Sequence, residues 1–235
     1  RTEETIAVDL HPDQQELYDK ELRRARAVVA EKGPIDVLAA LTRLRQICCH
    51  PHLVAKTAGG SAGSAKRDTL VDMLEEILGE GHSALVFSQF TSMLELIAPV
   101  LKEAGLPTYT ITGSVPAAKR ADRVRAFNES DDPSVFLLSL KAAGTGLTLT
   151  RADYVFLFDP WWNPAVERQA VDRTHRIGQD KPVIAYRLVA SGTVEEKVMA
   201  MQREKAALFE DVVEGAGQAA FPQKLSTDDL LTLLS

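Results

Sequence analysis

The chain is short of several things, and each shortage removes a class of protein. It has two cysteines in 235 residues, adjacent at Cys48 and Cys49. Neighbouring cysteines cannot frame a disulfide-stapled secreted domain, and they fit a reducing interior. No apolar run approaches the roughly 18 residues of a membrane-spanning helix. The first residues, RTEETIAVDL, carry no secretory pattern. Positive charge is not in surplus either. The net charge is −6, the opposite sign from the basic footprint of a dedicated nucleic-acid binder. Nowhere does GxxxxGK precede Ser or Thr, so the chain has no loop of that type to cradle a β-phosphate. Nor does an Asp-Glu-x-His run follow an apolar strand to hold Mg2+ and orient water.

What is present reads as an ordinary globular chain with material for a sizeable core in one large or two small domains. Residues 1–56 look like an annex. Ile6 to Leu10 alternates like a short strand, and Asp13 is a helix-start residue before a helix over Gln15 to Glu31. Gly33-Pro34 breaks that helix, and Ile35 to Ile47 repeats its apolar residues at helical spacing. Residues 57–65, TAGGSAGSA, have the composition of a flexible linker.

From 66 to 192 the pattern becomes a regular alternation. Helices are expected over Asp68 to Leu78, Thr91 to Ala104 and Pro116 to Phe127. Strands are expected over His82 to Phe87, Thr108 to Thr112 and Tyr154 to Phe158, and at Val135 and Val183. Strands alternating with helices of that length make right-handed crossovers. The fold class is therefore α/β, a mainly parallel sheet with helices on both faces. In such sheets ligands bind beyond the carboxyl ends of the strands. Ser88-Gln89, Gly113-Ser114 and Lys141 to Thr145 all stand at such ends. A C-terminal helical extension, residues 193–235, holds a long helix from Val194 to Val212 and an amphipathic piece from Asp228 to Leu234.

The richest stretch is SLKAAGTGLTLTRADYVFLFDPWWNPAVERQAVDRTHRIGQ, Ser139 to Gln179. On a helix, Gln169, Arg173 and Arg176 fall within an arc of roughly 60°. Two guanidiniums and an amide pointing one way suit phosphate oxygens, because guanidinium is always charged and donates in a fork. Val166, Ala170 and Ile177 on the adjoining arc would seat that helix. Alternatively, the arginines line a solvated face paired to Asp172 or Asp180. Gly144-Thr145-Gly146 reads either as a tight turn, since glycine frees φ, or, with Lys141 ahead of it, as backbone amides near phosphate. The Trp161-Trp162 doublet before Asn163-Pro164 cannot send both rings the same way, so one anchors the core. Cys48-Cys49-His50-Pro51-His52 lacks the ligand gaps of a zinc site, and no metal residue is assigned.

These segments resemble the C-terminal RecA-like lobe of Swi/Snf-type ATPases, the DNA-translocating branch of helicase superfamily two. QAVDRTHRIGQ (169–179) and SLKAAGTGLTLT (139–150) resemble that family's sixth and fifth motifs. ALVFSQFTSML and LRQICCHPHLV match further segments in the family's order. The resemblance implies that Arg173 and Arg176 are paired arginine fingers. It implies nucleotide contacts from Gly144, Thr145, Gly146 and Gln169, and contacts to DNA from Ser88, Gln89, Gly113, Lys141, Trp162 and Asn163. Ala142-Ala143 stands where the family most often has Gly-Gly, and Thr148 where it often has asparagine.

The implied substrate is ATP with Mg2+, held mainly by an N-terminal RecA-like lobe in cis that supplies the phosphate cradle. The implied partner is double-stranded DNA, with a DNA-bound protein complex as a further candidate and no membrane. A non-catalytic interaction module and an RNA helicase lobe are the alternatives. The alanine-rich style leans bacterial, which would place the protein in the cytoplasm at the nucleoid; a eukaryotic source would place it in the nucleus.

Overall fold

The computed structural model describes residues 2–29, 31, 33–55, 63–174, 181–205 and 225–235, the side chains of 170, 173 and 174 excepted. Its strands are β1 (Thr2–Val8), β2 (Ser83–Ser88), β3 (Thr108–Ile111), β4 (Val135–Ser139), β5 (Ala152–Leu157) and β6 (Ile184–Ala190). Its helices are α1 (Pro12–Val29), α2 (Pro34–Cys49), α3 (Ala65–Gly79), α4 (Thr91–Glu103), α5 (Ala117–Glu129), α6 (Leu140–Ala143), α7 (Pro164–Thr174), α8 (Val194–Glu204) and α9 (Thr227–Leu233). The six strands form one sheet in the order β1-β6-β5-β2-β4-β3. The β3–β4, β4–β2, β2–β5 and β5–β6 pairs are all parallel. Both central strands, SALVFS and VFLLS, are buried along their whole length, as a parallel sheet covered on two faces requires.

Two compact units interleave along the chain. The first comprises Arg1–Ile6, Arg67–Asp159 and Arg168–Leu188; the second comprises Ala7–Lys66, Pro160–Glu167 and Val189–Ser235. In the first, aromatic rings fill the space beside the sheet. Phe127 of α5 meets Phe136 edge-on at 5.2 Å between centroids, and Tyr109 stacks on Phe136 at 5.8 Å. Each such ring taken from water contributes about 1.5–3 kcal/mol. In the second unit, α1 and α2 form a hairpin. Leu41, Leu44, Ile47 and Cys48 of α2 share its core with Val194 and Val198 of α8 and Leu230 and Leu233 of α9. Ser226 and Asp229 close a reciprocal capping box at the start of α9, which satisfies two amides at that helix end.

Three sequence expectations change. The first strand starts at Thr2, not Ile6, and joins the sheet beside β6 instead of standing in an annex. It is an exposed edge carrying Glu3 and Glu4, and such charged edges lack the apolar alternation that marks a strand. The end of the expected linker is packed. Ser64 and Ala65 are buried, Ser64 Oγ donates to Cys49 O, and Ala65 N donates to Gln14 Oε1 at 3.3 Å. Small residues read as flexible by composition, yet the same smallness lets them close onto backbone acceptors. Residues 57–62 lie outside the described residues, as do residues 206–212 of the expected long helix. The third change is α6, one helical turn where a loop was expected.

Candidate functional site

Because its pairs run parallel, strands β2, β3, β4 and β5 of the first unit end on one edge of the sheet, and the loops leaving that edge carry the polar chemistry. Ser88, the last residue of β2, lies in register with Ser139, the last of β4. Ser88 is fully buried, and its Oγ donates to Asp159 Oδ2 at 2.5 Å while accepting from Phe90 N at 3.1 Å. Asp159 Oδ1 accepts from Gln89 N at 3.1 Å. The carboxylate beyond β5 therefore ties down the loop beyond β2. This corrects the expectation for Ser88: buried and committed to Asp159, it is a loop anchor and not a surface contact to DNA. Gln89 remains part-exposed. Asp159 was missed in the sequence, although an acidic residue directly after an apolar strand is a signal that could have found it.

Beyond β4, Ser139 Oγ caps α6 by accepting from Ala142 N at 3.2 Å. That turn presents Lys141 to solvent, and the lysine stem lies over Gly113 beyond β3. A Cβ built on Gly113 would meet Lys141 Cδ at 2.9 Å, so the glycine is what lets the lysine cross there. Arg120 Nη2 donates to Gly113 O at 3.0 Å and its Nε to Val115 O at 2.6 Å. Arg123 Nη1 donates to Thr110 O at 2.5 Å. Carbonyls are neutral, so these bonds orient the guanidiniums without cancelling their charge. Gly113, Lys141 and Arg120 thus form a cationic corner, despite the net negative charge of the chain.

Gly144, Thr145 and Gly146 are exposed next to this corner, and Gly146 has φ +77°, a left-handed conformation suited to glycine. The expectation that backbone amides here face phosphate needs correcting at two positions. Gly144 N donates to Leu140 O at 3.2 Å and Thr145 N to Ala142 O at 3.0 Å, because both close the α6 turn. Thr145 Oγ1 also turns back, donating to Ala142 O at 2.6 Å. Thr148 offers its carbonyl to Asn128 Nδ2 at 3.0 Å, a structural contact that holds the loop.

Helix α7 follows the Asp159-Pro160-Trp161-Trp162-Asn163 segment. Gln169 is exposed on it. Glu167 and Val171 are buried on it, whereas Val166 of the expected seating arc is part-buried and the side chain of Ala170 lies outside the described residues. The side chain of Arg173, the whole of Arg176 and Ile177 lie outside the described residues. Within the second unit, Trp161 is fully buried and Trp162 is 7% exposed. Both rings are inside, which overturns the expectation that Trp162 faces DNA. It lies instead against the Arg45 guanidinium, 4.8 Å from Cζ to ring centroid. Asn163, 1% exposed, caps α7 by accepting from Ala165 N at 2.9 Å and is likewise no surface contact.

Among the described residues no group of three His, Cys, Asp or Glu is gathered to hold a metal. An open groove of about 830 Å³ borders Lys102, Leu106 and Thr108, at the other end of β3 from Gly113, and it shares no residue with the loops above.

Comparison with known proteins agrees with this fold. Residues 65–178 match the helicase conserved C-terminal domain. The chain is 34% identical, over 97% of its length, to an uncharacterized ATP-dependent helicase of Mycoplasma pneumoniae, of which it covers 22%. It superposes on the Sulfolobus solfataricus SWI2/SNF2 ATPase core in complex with dsDNA with a TM-score of 0.82 and 29% identity, covering 99% of this chain and 49% of that one. The isolated C-terminal domain of the Sulfolobus solfataricus SWI2/SNF2 ATPase gives a TM-score of 0.78 at 29% identity, covering 100% of this chain and 99% of that one. The chain spans between 12% and 28% of the length of the first curated relatives it matches. With the parallel sheet and these matches together, residues 65–178 belong to the helicase conserved C-terminal domain family, and the chain as a whole is similar to the C-terminal domain of a SWI2/SNF2 ATPase.

Proposed function

We propose that this chain is the second motor lobe of an ATP-dependent translocase on double-stranded DNA, acting with an N-terminal ATP-binding lobe of the same protein. The observation that carries the reading is the exposed cationic corner at the strand ends, where Lys141 crosses Gly113 beside Arg120. Such a corner meets phosphate without reading bases, as a translocase must. The Gly144–Gly146 turn stands exposed just after Lys141 and Gln169 is exposed on α7, and Arg173 and Arg176 follow on α7 and beyond it as the fingers.

ATP would lie between the two lobes, with the other lobe supplying the phosphate cradle and the Mg2+ ligands. The guanidiniums of Arg173 and Arg176 would neutralise charge developing on the γ-phosphoryl oxygens as the bond to the leaving group breaks. Fingers of this kind contribute about 10³–10⁵ in rate. Closing and reopening the cleft would then move the lobes along the duplex through contacts to its phosphates. The lobe would work wherever duplex DNA lies, at a nucleoid or in a nucleus.

The test is ATP hydrolysis by the protein that carries both lobes, with duplex DNA, single-stranded DNA and RNA in turn. Duplex should stimulate most, and Arg173→Ala or Arg176→Ala should abolish the stimulation while ATP still binds, the loss appearing in kcat. Turnover by the purified 235-residue chain alone, or equal stimulation by RNA, would overturn the reading. So would either alanine variant keeping more than about a tenth of the rate.

A further inference from the structure

We infer that Arg45 is a positioning residue for α7, fixing the segment Pro160–Asn163 from which that helix starts. Arg45 belongs to α2, and at 2% exposed it is a buried guanidinium in a run of buried apolar residues. A charge in that setting is costly unless it is paired or well hydrogen-bonded. Two features of the segment answer that cost. Nη2 donates to Pro160 O at 2.7 Å, and the guanidinium lies over the Trp162 ring at 4.8 Å.

The segment is held at every residue. Gln202 of α8 donates from Nε2 to Trp161 O, and Trp161 N donates to Glu167 Oε2 at 3.4 Å. Asn163 then caps the helix. All these groups lie in the second unit, whereas α7 continues as one helix into residues of the first. The segment that leads into its first turn is therefore held by Arg45 and Gln202, and Gln169 and Arg173 follow one and two turns into the helix. A helix is stiff over such a length, and a catalytic group displaced by about 1 Å can lose a hundredfold in rate. The kinetic part of this inference rests on the finger reading proposed above; the anchoring does not.

The experiment uses the protein that carries both lobes, with Arg45→Met, Arg45→Lys and Arg45→Ala beside Arg173→Ala. Methionine keeps the volume and loses both contacts, so it serves even where alanine prevents folding. Amide exchange in α7 should accelerate about ten- to a hundredfold in Arg45→Met, the weight of one lost hydrogen bond to a charged group. Amides of β2 and β4 should keep their rates. DNA-stimulated kcat should fall by about tenfold or more with KM for ATP within about twofold, because the helix is misplaced and not the binding surface. Lysine keeps the charge without the fork and should fall between.

Unchanged exchange in α7, or acceleration spread evenly over the chain, overturns the proposal. So does faster α7 exchange with normal kcat while Arg173→Ala is inactive. If Arg173→Ala remains active and α7 still loosens selectively in Arg45→Met, the finger reading fails and the anchor stands.

Discussion

Lys66 Nζ lies 2.5 Å from Glu195 Oε1, with both side chains wholly buried. Oε2 is 2.8 Å from the same ammonium, and Oε1 also accepts from Ala190 N at 2.9 Å. Burial on its own would push the lysine pKa down, but the carboxylate beside it leaves it raised above its ordinary value. The pair joins the residue after the packed Ser64-Ala65 to the first turn of α8, so the second unit is tied across a long stretch of sequence.

Removing one partner should therefore cost far more than removing both. Lys66→Met strands a buried carboxylate and should destabilise the chain by about 3–5 kcal/mol. Lys66→Met with Glu195→Leu should recover most of that loss, leaving chiefly the Ala190 amide unpaired. Urea unfolding of the two variants against wild type measures the difference. Equal losses in the single and double variants would show that the pair is not what holds this region.

The same pair sets an alkaline limit. A lysine with a raised folded pKa gives stability that is fully present below its unfolded value and is lost as pH rises through the folded one. Wild-type stability from this source should hold through neutral pH and fall only above the ordinary lysine value of 10.5. Burial also pushes the Tyr18 hydroxyl and the Cys48 thiol upward, and their loss runs in the same direction. The contribution of Lys66 is the part of the alkaline decline that Lys66→Met lacks, read from unfolding free energies across that range.

The sheet was legible because buried parallel strands write themselves as short apolar runs, as in LVF before Ser88 and VFLL before Ser139. The loops at its carboxyl edge were legible because glycine and polar residues punctuate those runs. Ser88 and Trp162 were misjudged for a common reason: a motif says that a residue matters without saying which way its side chain points. Asp159 and Arg45 were not singled out, although each breaks a local pattern, an acid ending an apolar strand and a cation on the buried arc of α2. Lys66 left no sequence signal, since its partner is 129 residues away.

Asp159 should prove necessary for the loop after β2. Asp159→Ala leaves the Gln89 amide and the Ser88 hydroxyl without their acceptor, at a cost of about 1–3 kcal/mol for each buried group left unsatisfied. Amide exchange should rise at Gln89 and Phe90 before it rises in β4. Asp159→Asn can still accept one bond and should lose less. Identical thermal melting of Asp159→Ala and wild type would mean that water replaces the carboxylate fully.

Gly113 and Lys141 should behave as one unit toward DNA. Adding a Cβ at Gly113 meets Lys141 Cδ at 2.9 Å, too close to keep, and the lysine stem is the flexible partner that must move. Stability should therefore change by no more than about 0.5 kcal/mol, as for a surface substitution. The displaced ammonium should show in binding. In the protein with both lobes, Lys141→Ala should weaken duplex affinity for all sequences alike and lower the salt slope by about one. Gly113→Ala should reproduce part of that loss. In the Lys141→Ala background it should add almost nothing, because the two changes act through the same charge. Additive losses in that double-mutant cycle would show that Gly113 affects DNA by another route, and an unchanged salt slope in Lys141→Ala would remove the lysine from the DNA contact altogether.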